Sequence, residues 1–368
     1  VLDNLPRIDY TSGIAQLLME PSRTNLIPSS EYFSDYWTAQ DASVTDNATT
    51  SPEGLVNAAK LIPDSGTGGN RSIGKNFTGL SGVHTFSVFA KAAGHDYIAL
   101  RMRNPGNSLV MFNLSDGSVE NEVSGSDQYV ANSAKIESFG NDWYRCSASF
   151  DPSESTTVGQ LFVSFSTGID GTETINFDGD GTNGVFVYGA QLEAGDFATS
   201  YIPTYGAQDT RNFDDVDHFD TSGLGFGTTC SIYFEGVINE ASSLYLRPVT
   251  MFGSGFDTSE RFLLFGQSFS GGTYTLTSRH NSGGATNGVD KTGLTVGEKV
   301  KCVSVFDGTS QKFFVNGSSA GTDTVPAAEV FEYLDLSNIA ADQNHTIESL
   351  QLYPVALSDA ECIALTTL

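Results

Sequence analysis

Short stretches of alternating apolar and polar residues recur along this chain, and they predict β-strands rather than helices. In 85–91, for example, Phe86, Val88 and Ala90 fall on one face and alternate with the residues of the other face. Clusters of Gly, Asn, Asp and Ser bound each stretch, as turns do between the strands of a sandwich. Stretches of this kind lie at 58–62, 84–92, 97–103, 110–113, 134–139, 143–150, 160–166 and 185–192, and again at 230–237, 249–253, 262–266, 274–278, 299–306, 312–315 and 346–353.

The segment 185–204 indicates where a first domain closes. Its sequence, VFVYGAQLEAGDFATSYIPT, alternates up to Leu192 and breaks at the Ala-Gly-Asp that follows. A second short extended piece at 199–202 ends at Pro203, because proline lacks the backbone donor that a further ladder needs. We therefore expect a closing strand and a domain exit whose residues are framework.

A polar, acidic stretch that begins at Tyr205 marks the boundary between two all-β domains. At the other end of the chain, Ser358 and Glu361 have the spacing of a capping box and predict one short helix. The expected organisation is an extended connector at 1–20, a β-sandwich at 21–205 and a second β-sandwich at 206–368.

Composition changes this picture mainly through charge. Among 368 residues, 44 Asp and Glu stand against 18 Lys and Arg, which gives a net charge of -26. A field of this sign repels nucleic acid and anionic membrane surfaces, and no apolar run is long enough to span a bilayer, so we expect no nucleic-acid partner and no membrane insertion. The acidity either keeps an extracellular particle component soluble or supplies carboxylates for calcium.

The chain opens on Val1 without an evident signal peptide, so we expect it to be part of a longer protein.

The four cysteines indicate packing rather than a zinc site. They lie far apart and form no CxxC pair. Cys146 and Cys302 fall within predicted strands, where a thiol behaves as a small apolar side chain. A disulfide between Cys230 and Cys302 is compatible with the sequence, but no pattern in the sequence supports it.

One predicted strand carries the candidate ligand site. Sugar recognition needs an aromatic platform for the ring and planar polar groups for the hydroxyls. Tyr97, Arg101 and Arg103 offer both, with Asn104 and Tyr129 nearby in sequence. Arg101 and Arg103 share a face because they are two residues apart, and together they could hold a carboxylate of an acidic polysaccharide. The alternative is a solvated strand face whose arginines pair with neighbouring carboxylates.

The two tryptophans are expected to pack rather than to bind ligand. Trp143 lies in a predicted strand and is expected in the core or covering a sheet. Trp37, with the aromatic residues before it, is expected to plug one end of the sandwich.

A glycine-rich loop at 177–184, FDGDGTNG, is the candidate calcium site. It places Asp178, Asp180 and Asn183 on a tightly turning backbone, and calcium takes several oxygen ligands. The loop lacks the bidentate glutamate of an EF-hand, so a plain turn before the next strand is the alternative. An acidic cluster at 214–220 could share a cation in the same way.

No catalytic motif is evident, and no residue is assigned a catalytic role. A polysaccharide lyase would need a Tyr or His base beside an Arg or Asn that neutralises the uronate. Tyr274, Arg279, His280 and Asn281 could be interpreted in that way, and a polar loop is the alternative.

A series of short segments follows in order along the first domain. They are LPRIDY (5–10), LLMEPSRTNLI (17–27), FSDYWT (33–38), FSVFAKA (86–92), DWYRCSASF (142–150) and the segment 185–204. In this order they resemble the carbohydrate-binding-module-like domains of bacteriophage tail-fibre and baseplate proteins. The resemblance implies a jelly-roll sandwich that binds glycans or spaces other modules.

Two segments carry a resemblance in the second domain. VSVFDGTSQKFFVNGSSAG (303–321) and TIESLQLYPVALSDAE (346–361) are similar to the hairpin and the closing strand-plus-helix of laminin-G and concanavalin-like lectin domains. The closing strand carries Glu348 as its one acidic residue, unlike family members with a marked acidic metal signature. Fold similarity does not fix function, since the fold also hosts spacers.

These observations predict a virion appendage module, a fibre, spike or tail component, that binds host-surface polysaccharide without catalysis. The expected partners are a host-cell glycan and other virion proteins at the virion surface, with calcium as the one cofactor considered. The resemblance to phage appendages, rather than the residues, implies a homotrimer. A polysaccharide depolymerase or lyase of concanavalin-like fold and a purely structural spacer or decoration protein are the alternatives.

Overall fold

The computed structural model describes residues 7–9, 13–103, 107–123, 129–152, 159–166, 178–241, 246–252, 261–282, 285–325, 330–337 and 343–368. Contacts divide the chain into two compact units. Unit 1 comprises Arg23–Arg211, and unit 2 comprises Leu2–Ser22 with Asn212–Leu368.

Antiparallel strands make up most of both units. In chain order they are β1 Arg7–Asp9, β2 Gln16–Met19, β3 Arg23–Asn25, β4 Thr38–Gln40, β5 Ala42–Thr50, β6 Val56–Pro63, β7 Ser72–Phe77, β8 His84–Ala93, β9 Tyr97–Arg103, β10 Asn107–Asn113, β11 Ser118–Val123, β12 Lys135–Ser138, β13 Tyr144–Phe150, β14 Gly159–Phe165, β15 Gly184–Ala194, β16 Asp209–Arg211, β17 Asp215–Asp220, β18 Cys230–Ala241, β19 Leu246–Phe252, β20 Arg261–Ser270, β21 Thr273–Ser282, β22 Ala285–Thr295, β23 Lys299–Phe306, β24 Ser310–Val315, β25 Ser318–Thr324, β26 Tyr333–Ser337 and β27 Gln343–Tyr353. The helices are α1 Phe33–Tyr36 and α2 Asp359–Thr366, with a 3-10 turn at Ser222–Leu224.

Unit 1 is a sandwich of two six-stranded sheets. Their strand orders are β11-β10-β9-β14-β7-β4 and β12-β13-β8-β15-β6-β5. Alternate residues of both sheets point inward and form one hydrophobic core, to which Leu100 and Val163 contribute from the first sheet and Val88 and Val187 from the second. The outward face of the first sheet carries the other half of each strand, and the candidate site lies there.

Unit 2 is a sandwich of a seven-stranded and a six-stranded sheet. The orders are β1-β2-β27-β18-β23-β24-β25 and β17-β26-β19-β20-β21-β22. Phe234 and Phe313 from the first sheet pack with Leu264 and Leu276 from the second. Helix α2 lies on the outer side of the seven-stranded sheet, where Cys362 packs in a smaller apolar cluster.

The predicted fold class is confirmed. The described chain is nearly all β, in two tandem sandwiches of jelly-roll type with a short C-terminal helix.

The capping box is present, since the Ser358 hydroxyl accepts from the Glu361 amide and the Glu361 carboxylate accepts from the Ser358 amide. Trp37 and Trp143 are buried, as expected. No helix among the described residues is long and apolar enough to cross a bilayer.

The first strands pair with unit 2. Leu17 on β2 lies opposite Ile347 on β27, and β1 pairs with β2 at the edge of the same sheet. The stretch expected as a connector thus contributes the edge strand β1 and its neighbour β2 to the seven-stranded sheet of that unit, and unit 1 extends to Arg211.

The segment 185–204 begins as an interior strand. β15 lies between β8 and β6. Residues 199–202 join no ladder, but buried side chains of β15 hold them in place. The Glu193 carboxylate accepts from the Thr199 amide at 2.9 Å, and Gln191 Oε1 accepts from the Ile202 amide at 2.7 Å. These contacts agree with a framework role for the segment.

All four cysteines are buried free thiols. The Cys230–Cys302 disulfide that the sequence left open is absent, because Cys302 lies opposite Phe234 and Cys230 opposite Phe306 in the β18–β23 pair. Burial raises the pKa of every one of these thiols, to about 12 for Cys230 and about 11 for Cys362. They are protonated, inert packing residues.

Candidate functional site

Strand β9 presents its arginines on the side of the sheet that faces away from the core. Ile98, Leu100 and Met102 point into the core of unit 1, so Arg101 and Arg103 lie on the opposite face. Arg101 is 5 % exposed. Arg103 is exposed and makes no hydrogen bond or ion pair with any residue that the structure describes.

Phe162 on β14 stands beside Arg101. The strands are in register so that Phe162 lies opposite Arg101 on one side and opposite Gly74 of β7 on the other. The Arg101 guanidinium carbon is 5.4 Å from the centroid of the Phe162 ring, within the range of a cation–π contact. A Cβ at Gly74 would overlap the ring. Glycine at this position therefore allows the aromatic ring to lie against the strand.

The next transverse row of the sheet is polar. Gln160 lies opposite Arg103 on β9 and opposite Asn76 on β7. Gln160 Nε2 donates to Asn76 Oδ1 at 3.0 Å, which fixes the two amides side by side. Both amides are at least partly exposed.

We call the surface formed by Asn76, Arg101, Arg103, Gln160 and Phe162 the arginine–phenylalanine face. It combines an aromatic ring, a buried and an exposed guanidinium, and two amides. A guanidinium binds a carboxylate through two parallel hydrogen bonds, while an aromatic ring covers the C–H face of a sugar at low entropic cost. The residues can therefore bind an anionic sugar, and nothing in them supplies a nucleophile or a base.

The other predicted ligand residues are placed differently. Tyr97 is half-buried on the outward face of β9, and its hydroxyl accepts from Asn113 Nδ2 at 3.5 Å. Tyr129 belongs to the hydrophobic core, on the opposite side of β9 from Arg101. Its hydroxyl donates to Glu122 at 2.6 Å, and burial raises the pKa of this phenol. Asn104 lies outside the described residues.

Sequence reasoning missed Phe162, Gln160, Asn76 and Gly74. The alternation in 160–166 could have shown that Gln160 and Phe162 share a face. It could not have shown that this face adjoins Arg101, because that depends on which strands pair.

In the proposed calcium loop, the Asp180 carboxylate accepts hydrogen bonds from amide groups of the same loop. Asp180 Oδ1 accepts from the backbone amides of Thr182 and Asn183, both at 2.8 Å, and Asp180 Oδ2 accepts from the Asn183 side chain. These donors hold the pKa of Asp180 well below its usual range. Asp178 accepts from the Gly68 amide. The structure brings Asp180 and Asn183 together in one turn, whereas Asp178 is hydrogen-bonded to Gly68.

The acidic cluster at 214–220 is also partly engaged. Asp214 is paired with Arg7 and accepts from the Glu20 amide, while Asp220 accepts from the Ser222 amide. No group of three or more His, Cys, Asp or Glu that could hold a metal is found among the described residues. The side chains of 215–218 lie outside the described residues.

The residues considered for a lyase lie on two different faces of strand β21. Tyr274 and His280 face the core of unit 2 and are 1 % exposed, whereas Arg279 and Asn281 point to the other face of the strand. Burial lowers the pKa of His280 to about 4 and raises that of Tyr274. A base and its neutralising partner are therefore not assembled here.

Comparison with known proteins finds fold similarity alone. No family model matches the chain, and no curated protein matches it in sequence. Among solved structures, the carbohydrate-binding module CBM40 of the Ruminococcus gnavus IT-sialidase, bound to α2,3-sialyllactose, is 16 % identical, with a TM-score of 0.33 over 40 % of this chain and 91 % of that one.

Two further solved structures give similar values. The SAP-like pentraxin of Limulus polyphemus is 14 % identical, with a TM-score of 0.32 over 38 % of this chain and 70 % of that one. The receptor-binding domain of botulinum neurotoxin C/D mosaic serotype is 10 % identical, with a TM-score of 0.34 over 42 % of this chain and 40 % of that one. Each similarity covers less than half of this chain.

Proposed function

We propose that unit 1 binds an acidic polysaccharide of a host-cell surface through the arginine–phenylalanine face, without catalysis. The observation that carries the proposal is the exposed Arg103, which has no partner among the described residues, standing next to Phe162 and the paired amides of Gln160 and Asn76. A carboxylate on the sugar would pair with Arg103, while the ring of the sugar packs on Phe162.

The net charge of -26 disfavours polyanions overall, so binding of an acidic polysaccharide depends on the local charge at the face. At physiological salt, charges are screened beyond a distance of about 8 Å, so the repulsion from distant carboxylates is weak at the face itself. Selectivity for an acidic sugar then depends on the Arg103 guanidinium at the face. Removing one charge-assisted hydrogen bond typically costs about 1.5–3 kcal/mol, or roughly a tenfold to hundredfold loss of affinity.

We also propose that this binding serves adhesion by a virion appendage of the phage-fibre type, as a homotrimer in contact with other virion proteins. The segments from 5–10 to 185–204 resemble domains of bacteriophage tail-fibre and baseplate proteins, and this resemblance supports the role. Light scattering of the purified chain tests the assembly, with a mass three times that of one chain expected and a monomeric mass contrary to it.

Binding to soluble polymers tests the proposed function. The whole chain is titrated by calorimetry with alginate, polygalacturonate or hyaluronate oligomers, and with neutral dextran as comparison. Arg103→Gln and Phe162→Ala are each expected to weaken binding of at least one acidic polymer about tenfold or more, and circular dichroism checks that both variants fold.

Lys91→Gln provides the matched control. It removes the same charge from unit 1, but Lys91 lies on β8 of the other sheet. Equal losses in Lys91→Gln and Arg103→Gln would show that only net charge matters. Absence of binding to every acidic polymer, or wild-type binding by Phe162→Ala, would contradict the proposal.

A further inference from the structure

The paired amides of Gln160 and Asn76 keep hydrogen-bonding groups that the sheet does not use. Gln160 Nε2 donates to Asn76 Oδ1 at 3.0 Å, and neither side chain makes another hydrogen bond within the described part of the chain. A side-chain amide has one carbonyl acceptor and two N–H donors. The pair therefore leaves the Gln160 carbonyl as an acceptor and the Asn76 NH2 group as a donor, side by side at an exposed position.

Two adjacent hydroxyl groups of a sugar complement this amide pair. A hydroxyl both donates and accepts, so one of them can donate to the Gln160 carbonyl while the other accepts from the Asn76 NH2 group. If both amides turned over, one acceptor and one donor would still remain, and the two hydroxyls would exchange roles. A sulfate ester offers acceptors alone and would face the Gln160 carbonyl without a donor.

The hydrogen bond between the two amides also orders both side chains before a ligand binds. Ordering of side chains on binding costs conformational entropy and lowers affinity. Because Gln160 and Asn76 already hold each other, less of this cost remains to be met by the ligand.

Strand register places the amide pair next to the other groups of the arginine–phenylalanine face. Gln160 on β14 lies opposite Arg103 on β9 and opposite Asn76 on β7, and neighbouring strands are about 4.8 Å apart. Phe162 lies two residues along β14 from Gln160, a distance of about 6.6 Å. The backbone positions of these groups therefore form a triangle about 5–10 Å on a side, which is the scale of one sugar unit with its substituents.

A 1,4-linked uronic acid unit carries the matching groups. Its carboxylate projects from one end of the ring, while its free 2- and 3-hydroxyls are adjacent to each other towards the other end. With the carboxylate on Arg103, the ring can pack on Phe162 while the two hydroxyls reach the amide pair.

We infer that the arginine–phenylalanine face binds an unsulfated, 1,4-linked uronic acid unit of the polysaccharide, with its free 2- and 3-hydroxyls hydrogen-bonded to Gln160 and Asn76. This inference rests on the proposed function and adds which acidic sugar is bound. Arg103 distinguishes acidic from neutral sugars, whereas Gln160 and Asn76 distinguish one acidic sugar from another.

Blocking the hydroxyl pair of the ligand tests this inference on the whole chain. Calorimetric titration compares polygalacturonate with the same polymer acetylated at its 2- and 3-hydroxyls, which keeps every carboxylate. A second comparison uses polysialic acid joined by 2,8-linkages, whose units carry a carboxylate but no two adjacent free hydroxyls. Unmodified polygalacturonate is expected to bind about tenfold or more tightly than either of the other polymers.

Gln160→Leu removes one amide at nearly the same side-chain volume. It is expected to weaken binding of unmodified polygalacturonate about tenfold and to leave binding of the acetylated polymer unchanged, so the preference between the two polymers is lost. Asn76→Leu is expected to act in the same way, and it provides the test by itself if Gln160→Leu fails to fold. A purely structural role would weaken binding of both polymers equally and keep the preference.

Gln40→Leu is the matched control, because Gln40 is also exposed and lies on β4, the edge strand of the same sheet beyond β7. It is expected to keep both the affinity and the preference of the wild type. Equal affinity of the wild type for free and acetylated polygalacturonate, or an unchanged preference in both amide variants, would overturn this inference and leave the proposed function in place. Absence of binding to every acidic polymer would overturn both.

Discussion

The ring of Phe162 occupies space beside β7 that a side chain at residue 74 would need. Glycine in a strand interior is unfavourable by itself, and it is common where another group approaches the backbone closely. Here the approaching group is the aromatic ring that also contacts Arg101. The arginine–phenylalanine face therefore depends on Gly74, a residue without a side chain.

Gly74→Ala is expected to displace the Phe162 ring and so weaken binding of the acidic polymer about as much as Phe162→Ala does. Overpacking of this kind also lowers the free energy of unfolding by about 1–3 kcal/mol. Calorimetric titration and thermal unfolding measure the two effects.

Gly159→Ala provides the comparison, since it adds the same methyl group on β14 with an ordinary 3.5 Å contact to Leu80. Wild-type affinity in both alanine variants would show that the position of the Phe162 ring does not matter for binding.

At the scale of elements, alternation predicts most strands of the two cores and misses strands whose apolar residues are few or interrupted, such as the interior strand β7 with Gly74. The strands β5 and β25 lie at sheet edges and carry few apolar residues: Ala42 and Val44 of β5 and Ala320 of β25 are only partly buried against the cores, so the apolar period is weak. The four-residue helix α1 is too short to show a helical period. Arg101 and Arg103 could be selected from β9 alone, whereas their neighbours Phe162 and Asn76 follow from the pairing of β9, β14 and β7.

The C-terminal helix gives a direct test of a local signal that could be predicted. Ser358→Ala removes the side-chain acceptor of the α2 capping box and is expected to destabilise unit 2 by about 1 kcal/mol. Calorimetry measures the shift of its unfolding transition. Thr322→Ala, an exposed position on β25, is the control and is expected to have little effect. A Ser358→Ala transition equal to that of the wild type would contradict the role of the cap.

At the scale of the whole molecule, each unit has its own hydrophobic core, and buried histidines make unit 2 sensitive to acid. Burial lowers the pKa of His280 to about 4 and that of His345 to about 3, below the value of about 6.5 in an unfolded chain. Between these values the unfolded state binds more protons than the folded state, so stability rises with pH and is lost as pH falls.

The unfolding transition of unit 2 is therefore expected to move to lower temperature as pH decreases from about 6.5 towards 4. Each histidine that stays neutral contributes a slope of up to about 1.4 kcal/mol per pH unit. Scanning calorimetry follows the whole chain, while tryptophan fluorescence reports unit 1 alone, because both tryptophans lie there. The slope is expected to become shallower in His345→Phe. An unchanged transition of unit 2 over this pH range would contradict the assignment of neutral, buried histidines.

The arginine–phenylalanine face of unit 1 is proposed to bind a carboxylate-bearing sugar. A crystal structure of the chain with a short oligomer of the acidic polysaccharide that binds best tests it most directly. We expect a sugar carboxylate within hydrogen-bond distance of the Arg103 guanidinium and a sugar ring packed on Phe162. An oligomer bound elsewhere on the chain, with this face empty, would contradict it.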